Sequence, residues 1–240
     1  MESSKIIKII FILLFFSIIH GDNQNLQVGE NLRYNVSFSG ISAGEGTLKI
    51  ISKEKINGKT TYRVQFTART TGLINRLFPI DDTIDIWLSE NQLFPIRIHS
   101  IINEGNYHNT RQTDFYQKLG YSIINKDTVT IEHGTHSPYS LFYFFRNKTL
   151  TDMDGLIFNT LEGKRTTSLQ LNVEKNVQVI VPAGKYLCSK LTPSRINKQK
   201  FKNDASMSIW FSNDIYKYPV KIRLKLKYGA MMLELDKIIN

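Results

Sequence analysis

"IDIWLSENQLFPIRI", residues 84–98, returns later in the chain as "MSIWFSNDIYKYPVKI", residues 207–222. With one residue inserted in the second turn, Ile86, Trp87, Ser89, Pro95 and Ile98 align with Ile209, Trp210, Ser212, Pro219 and Ile222. Arg97 then falls on Lys221, and Phe94 on Tyr218. Successive side chains of an extended chain point to opposite faces. Ile84, Ile86 and Leu88 therefore share one face and leave Trp87 on the other, and Met207, Ile209 and Phe211 set Trp210 apart in the same way. If Ser89 faces Pro95 and Ser212 faces Pro219, Trp87 lies across from Arg97 and Trp210 across from Lys221, which pairs a cation with an aromatic ring in each hairpin. Proline opens each returning strand, where its missing N–H costs least.

Outward from these hairpins, nearly everything between Leu32 and Leu235 alternates with period two. "TLKIISKEKINGKTTYRVQFTA" contains Asn57-Gly58, the strongest short hairpin signal. Closely spaced strands without long amphipathic helices predict an all-β fold, an antiparallel, curved or half-barrel sheet with internal pseudo-duplication. The halves span about 28–130 and 165–236 within a single β-rich domain, residues 22–240. "ISAGEG" (41–46) and "VPAGKY" (181–186) are a weaker echo, each expected at a turn or bulge. Two stretches interrupt the alternation. "TGLINRLFPI" sets Leu73, Ile74, Leu77 and Phe78 at helical spacing, and "SPYSLFYFFRN" begins with an N-cap serine and a proline suited to a first helical turn. Both read as short apolar helices, with a strand as the competing reading of the second.

The chain opens "MESSKIIKIIFILLFFSIIHGDNQN", with Lys5 and Lys8 ahead of an apolar run from Ile9 to Ile19. That order is a secretory signal peptide, residues 1–21, and the run is shorter than the ~18 residues a membrane-spanning helix needs. Cys188 is the sole cysteine, so there is neither an internal disulfide nor a cysteine near the leader for lipid attachment. The formal net charge of +10 is basic, and cleavage after Gly21 would remove only Lys5, Lys8 and Glu2 from that balance. Outside the cytoplasm a basic surface suits anionic head groups or acidic glycans, or serves solubility alone.

The ordered set "VGENLRYNVSFSGISAGEGTLKI", "SPYSLFYFFRN", "VPAGKYLCSKLTP" and "IWFSNDIYKYPVKIRLKLKYGAMMLEL" resembles the family of exported bacterial proteins known as domain of unknown function 3108. The resemblance implies a periplasmic or secreted, β-rich protein, and it supplies no catalytic residues. On architecture alone the chain also resembles the half-barrel sheets of periplasmic lipoprotein carriers, an analogy of fold and not of function.

No catalytic residue, cofactor or metal site is expected. His133 and His136 in "EHGTHSP" lie three apart in a glycine-containing loop that fixes no shared face, so solvated loop histidines outweigh metal ligands. Asp81, Asp82 and Asp85 could serve a periplasmic glycan hydrolase if one were desolvated and a pair were held ~5–9 Å apart. The competing role is a polar sheet edge that resists aberrant pairing. Cys188, inside an alternating strand, reads as a small buried hydrophobe.

Two surfaces are candidates for binding. Lys221, Arg223, Lys225 and Lys227 alternate with apolar residues, giving one strand face a row of cations for an anionic membrane surface or simply for solvent. Nucleic acid is not expected, since no basic helix or stacking platform accompanies them. Leu73, Ile74, Leu77, Phe78, Leu141, Phe142 and Phe145 carry more apolar bulk than two connections need. They either plug the ends of the sheet or line a cavity for a lipid or amphiphile. The function expected is that of a non-catalytic envelope protein, binding such a ligand or an envelope protein partner. N-terminal sequencing of protein recovered from the cell envelope is expected to start after residue 21; an intact Met1 would overturn the leader.

Overall fold

The computed structural model describes residues 26–196, 206–226 and 229–239; the expected leader, residues 1–21, and Lys227 lie outside these. The alternating segments form β1 (Asn31–Phe38), β2 (Ile41–Ile56), β3 (Lys59–Thr70), β4 (Asp81–Ser89), β5 (Pro95–Glu104), β6 (Tyr107–Tyr116), β7 (Tyr121–Ile124) and β8 (Asp127–Thr130). After the aromatic segment come β9 (Ile157–Glu162), β10 (Arg165–Val181), β11 (Gly184–Arg195), β12 (Ser206–Ser212), β13 (Pro219–Leu226) and β14 (Gly229–Ile239). All belong to one 14-stranded sheet in the order β8-β7-β6-β5-β4-β3-β2-β1-β14-β13-β12-β11-β10-β9. Every neighbouring pair is antiparallel, and every pair except β1 with β14 is consecutive in sequence. Asn57 and Gly58 both have positive φ, the geometry a two-residue hairpin requires.

The sheet does not close into a barrel: β8 and β9, consecutive in the chain, are its two edges. The connection between them occupies the interval. His136 bridges to β9, its backbone N–H donating to the Asn159 carbonyl at 2.8 Å while its own carbonyl accepts from Leu161 N–H at 2.7 Å. The connection then turns inward as α2 (Leu141–Arg146), all six side chains of which are buried. Phe145 meets Phe158 and Phe211 edge-on, with centroids 5.7 and 6.1 Å away. The other expected helix, α1 (Gly72–Leu77), lies between β3 and β4 and buries none of its residues.

A buried ion pair holds the inserted helix. Arg146 donates two parallel bonds to the Glu30 carboxylate, 2.6 and 2.7 Å, and a third from Nε to the Tyr216 carbonyl at 3.1 Å. Both partners are buried, and the guanidinium lies 5.9 and 5.4 Å from the Tyr143 and Tyr218 ring centroids. Burial alone would pull the Arg146 pKa down, but the Glu30 carboxylate outweighs it and holds the group above its ordinary value.

The two Trp hairpins are equivalent to the level of the backbone. Trp87 pairs with Arg97 and Trp210 with Lys221, and in both hairpins the register shifts immediately after the Trp. Leu88 therefore faces Pro95 and Phe211 faces Pro219, where the sequence suggested the serines. Each serine caps its turn instead: the Ser89 hydroxyl accepts from Phe94 N–H at 3.1 Å and the Ser212 hydroxyl from Tyr218 N–H at 2.9 Å. Leu93 and Lys217, just before the aromatic-Pro pair, both adopt positive φ, a costly conformation for side chains of this kind.

The cation over each ring comes from the strand on the other side, Arg63 over Trp87 at 5.3 Å and Lys190 over Trp210 at 5.6 Å. Arg97 and Lys221 turn to acids one strand further on, Asp114 at 2.6 Å and Glu234 at 2.7 Å. The repeat thus spans four strands, β3–β6 matching β11–β14, as a row of cation, Trp, cation and acid. The Ala-Gly echo does not follow this phase. Ala43 is the extra residue of a bulge between β1 and β2, whereas Pro182-Ala183 turns β10 into β11.

Breaking the buried pair at one partner strands a charge and costs about 3–5 kcal/mol, whereas removing both charges at once is far cheaper. Arg146→Met is expected to lose that much stability in urea unfolding, and Glu30→Leu combined with Arg146→Met to recover most of it. Equal losses in the single and double variants would show that the pair is itself a net stabiliser, and that a stranded Glu30 charge is not the cost.

Candidate functional site

Followed along each strand, the inward side chains pass from packed core to open space. On β1, Leu32 and Tyr34 are buried, whereas Val36 and Phe38 line a cavity. On β3, Tyr62 and Val64 give way to Phe66, Ala68 and Thr70, and on β14 Leu235 gives way to Leu233 and Met231. Ile222 and Leu224 of β13 and Ile98, Ser100, Ile102 and Glu104 of β5 complete much of the wall. Strands from both halves therefore curl around one space of about 850 Å³. Segment 137–139 and Phe142 floor it, since α2 fills only the other half of the interior. Phe38, Phe78 and Tyr107 line the cavity and are also exposed, which marks its mouth. Ligand pockets span about 300–1,000 Å³, so the volume suits a sizeable apolar ligand.

Gly44 shapes this wall. A Cβ there would sit 2.0 Å from the Arg69 carbonyl oxygen, so only glycine lets β2 approach β3 so closely.

The apolar residues singled out in the sequence separate into three groups. Ile74, Phe78 and Phe142 line the cavity. Leu141 and Phe145 belong to the packed core instead, and Leu73 and Leu77 project into solvent on the outer side of α1. The cation row lies on the opposite face of β13 from the cavity-lining Ile222 and Leu224. Lys221 is paired with Glu234, while Arg223 and Lys225 are exposed.

The aspartates do not converge. Asp85 accepts bonds from Arg63 and Gln65 at 3.1 and 3.2 Å on the outer face, beside Trp87, and Asp81 pairs with Arg69 at 2.8 Å. Asp82 turns inward and accepts from Asn103 N–H at 2.8 Å. None of the three guards an edge, because β4 lies between β3 and β5. His136 is not a solvated loop residue. It is buried against Phe94 and Phe144, 5.2 and 4.1 Å between centroids, and burial lowers its pKa to about 3. Ser140 Oγ lies 3.4 Å from His136 Nδ1, but the hydroxyl donates to the Ser137 carbonyl at 3.1 Å and both side chains are sealed. His133 is exposed, and Cys188 is fully buried with its thiol pushed up to about 12. No cluster of three or more His, Cys, Asp or Glu among the described residues could hold a metal.

Burial, with Glu104 and Asp81 nearby, raises the Asp82 carboxyl to about 6 in spite of its bond from Asn103. An unfolded aspartate titrates near ~4, so folding favours the protonated form. That contribution is complete below about pH 4 and is lost as pH rises through 6. Asp82→Asn, whose amide oxygen can still accept from Asn103, is expected to raise the unfolding temperature at pH 8 and to leave it unchanged at pH 4. A variant less stable than the parent at pH 8 would show that the ionised carboxylate is a net stabiliser.

Among solved structures, the chain is similar to a β-barrel-like protein of domain of unknown function DUF1849 from Brucella abortus, with a TM-score of 0.58 and 11% identity over 89% of this chain and 98% of that one. That likeness is one of fold. A protein of YmcC-like fold from Bacteroides fragilis aligns with a TM-score of 0.38 and 8% identity over 88% of this chain and 96% of that one. No curated protein matches the sequence. The family DUF3108, a protein of unknown function, matches residues 33–236, from β1 to β14, and the chain belongs to that family.

Proposed function

We propose that the mature protein works outside the cytoplasm as a non-catalytic envelope protein that holds a hydrophobic or amphiphilic ligand in its cavity. The observation that carries this reading is the unfilled half of the interior. An apolar core normally packs as densely as an organic crystal. Here the inward rows of β1, β3, β13 and β14 continue past the inserted helix with apolar side chains that border an open space. Leaving ~850 Å³ of apolar wall open costs stability that a ligand with an apolar body would restore. Export is supported by the charged, apolar and polar order of residues 1–25. The glycan-hydrolase alternative needs two carboxylates facing one cleft, and Asp82 and Asp85 occupy opposite faces of β4.

Protein purified from the envelope is expected to release a lipid-like molecule on denaturation, detectable by mass spectrometry. Ala68→Trp, which places a bulky ring on the cavity wall, is expected to weaken binding of the neutral probe 1-N-phenylnaphthylamine by about tenfold, ~1.4 kcal/mol, with little change in unfolding temperature. Unchanged binding in a folded variant would remove the cavity from consideration.

A further inference from the structure

Four arginines occur on strands β3 to β6, and three of them have an aspartate: Arg63 with Asp85, Arg69 with Asp81 and Arg97 with Asp114. The fourth, Arg111, has no ion-pair partner among the described residues. Its position explains why it matters. Tyr107, Asn109, Arg111, Thr113 and Phe115 share the period-two face of β6 that lines the cavity, so the guanidinium belongs to the inner wall. Across the sheet Arg111 pairs with Ser100, and Tyr107 pairs with Glu104 at the mouth. Four residues of strand separate the two levels, about 13 Å.

Arg111 is half-buried, and with no acid among the described residues paired to it the N–H groups of its guanidinium are available to a ligand in the cavity. Planar and permanently charged, it matches a carboxylate or phosphate through two parallel N–H bonds. The wall also holds Glu45, Glu104 and Glu162, but Glu104 sits at the β5–β6 turn and Glu45 and Glu162 are exposed. Glu45 and Glu162 face water, and Glu104 lies beside Asp82. Tyr139 adds a neutral donor: burial first, then the Asp82, Glu162 and Glu104 carboxylates, hold its phenol protonated to about 12, with Arg111 opposing them.

We infer that Arg111 is the head-group anchor of the cavity, and that the ligand is an amphiphile whose apolar body fills the cavity and whose head is a carboxylate or phosphate. This rests on the cavity being the binding site, and the test separates the two ideas. Three probes are compared on the full mature chain: cis-parinaric acid, its uncharged methyl ester, and lysophosphatidic acid. The parent is expected to bind both anionic probes more tightly than the ester. Arg111→Met is expected to weaken the acid by about tenfold or more while leaving the ester within about twofold, which also verifies the variant's fold. Arg111→Lys, which keeps the charge but not the fork, is expected to recover part of the loss. Preferential loss of the acid over lysophosphatidic acid would identify a carboxylate head, and the reverse a phosphate. If the ester and the acids bind equally and Arg111→Met changes neither, the anchor is wrong while the cavity stands; if no probe binds the parent, the cavity reading fails first.

Discussion

The Arg146–Glu30 pair is the contact on which the interior depends. Glu30 immediately precedes β1, Arg146 closes the inserted helix α2, and the Tyr216 carbonyl that accepts from Arg146 lies in the turn of the second Trp hairpin. One guanidinium thus joins the start of the first half, the plug and the second half. Nearby, the Tyr34 hydroxyl donates to the Pro219 carbonyl at 2.8 Å, adding a neutral bond between β1 and β13. A six-residue helix without a side-chain cap has no helical stability of its own, so its conformation comes from what surrounds it. The bidentate geometry fixes the depth and rotation of the helix more sharply than apolar contacts alone would. A buried pair of this kind is a positioning device more than a source of net stability.

The depth at which the helix stops decides whether the molecule is hollow. Phe145 and Leu141 complete a packed core at one end, and Phe142 is both the last buried ring and part of the cavity floor. Beyond it, Ala43, Gly44 and Ala68 keep the wall thin, and α1 meets only the rim through Ile74. Plugging and lining are therefore successive levels of one interior, and the two apolar segments divide between them unequally.

Much of the fold was legible because period-two alternation fixes faces whatever the tertiary partners are. The two Trp hairpins carried more information than their length suggests, since Ser89 and Ser212, and Leu93 and Lys217, perform the same backbone tasks. What failed was the choice between neighbours. A central strand has two, and the sequence near Trp87 offered Arg97, whereas Arg63 of the preceding strand covers the ring. The same ambiguity concealed that β4 is central, so that Asp81, Asp82 and Asp85 are no edge guard. Arg146 and Glu30 are separated by 116 residues, and no local pattern links them. Arg111 was more accessible to reasoning: counting by two from the inward Phe115 reaches it by way of Thr113, a cation on the face that turns to the cavity. His136 was misread because a glycine two residues before it resembles a loop, while Phe94 and Phe144, which bury it, give no such signal at the histidine itself.

The strand order also sets a kinetic character for the chain. All neighbouring strands except one pair are joined by connections of ten residues or fewer, so their ladders form with little loop-closure entropy. The exception brings Asn31 beside Ile239 and requires nearly the whole length to be gathered first. Two meanders can therefore form independently, and a single distant zipper must join them. Glu30 lies just ahead of that zipper, so the charge that waits for Arg146 is set next to the slowest closure in the molecule. Until the halves meet, β1 and β14 each expose an unpaired backbone edge, the feature by which partly assembled β proteins associate with one another.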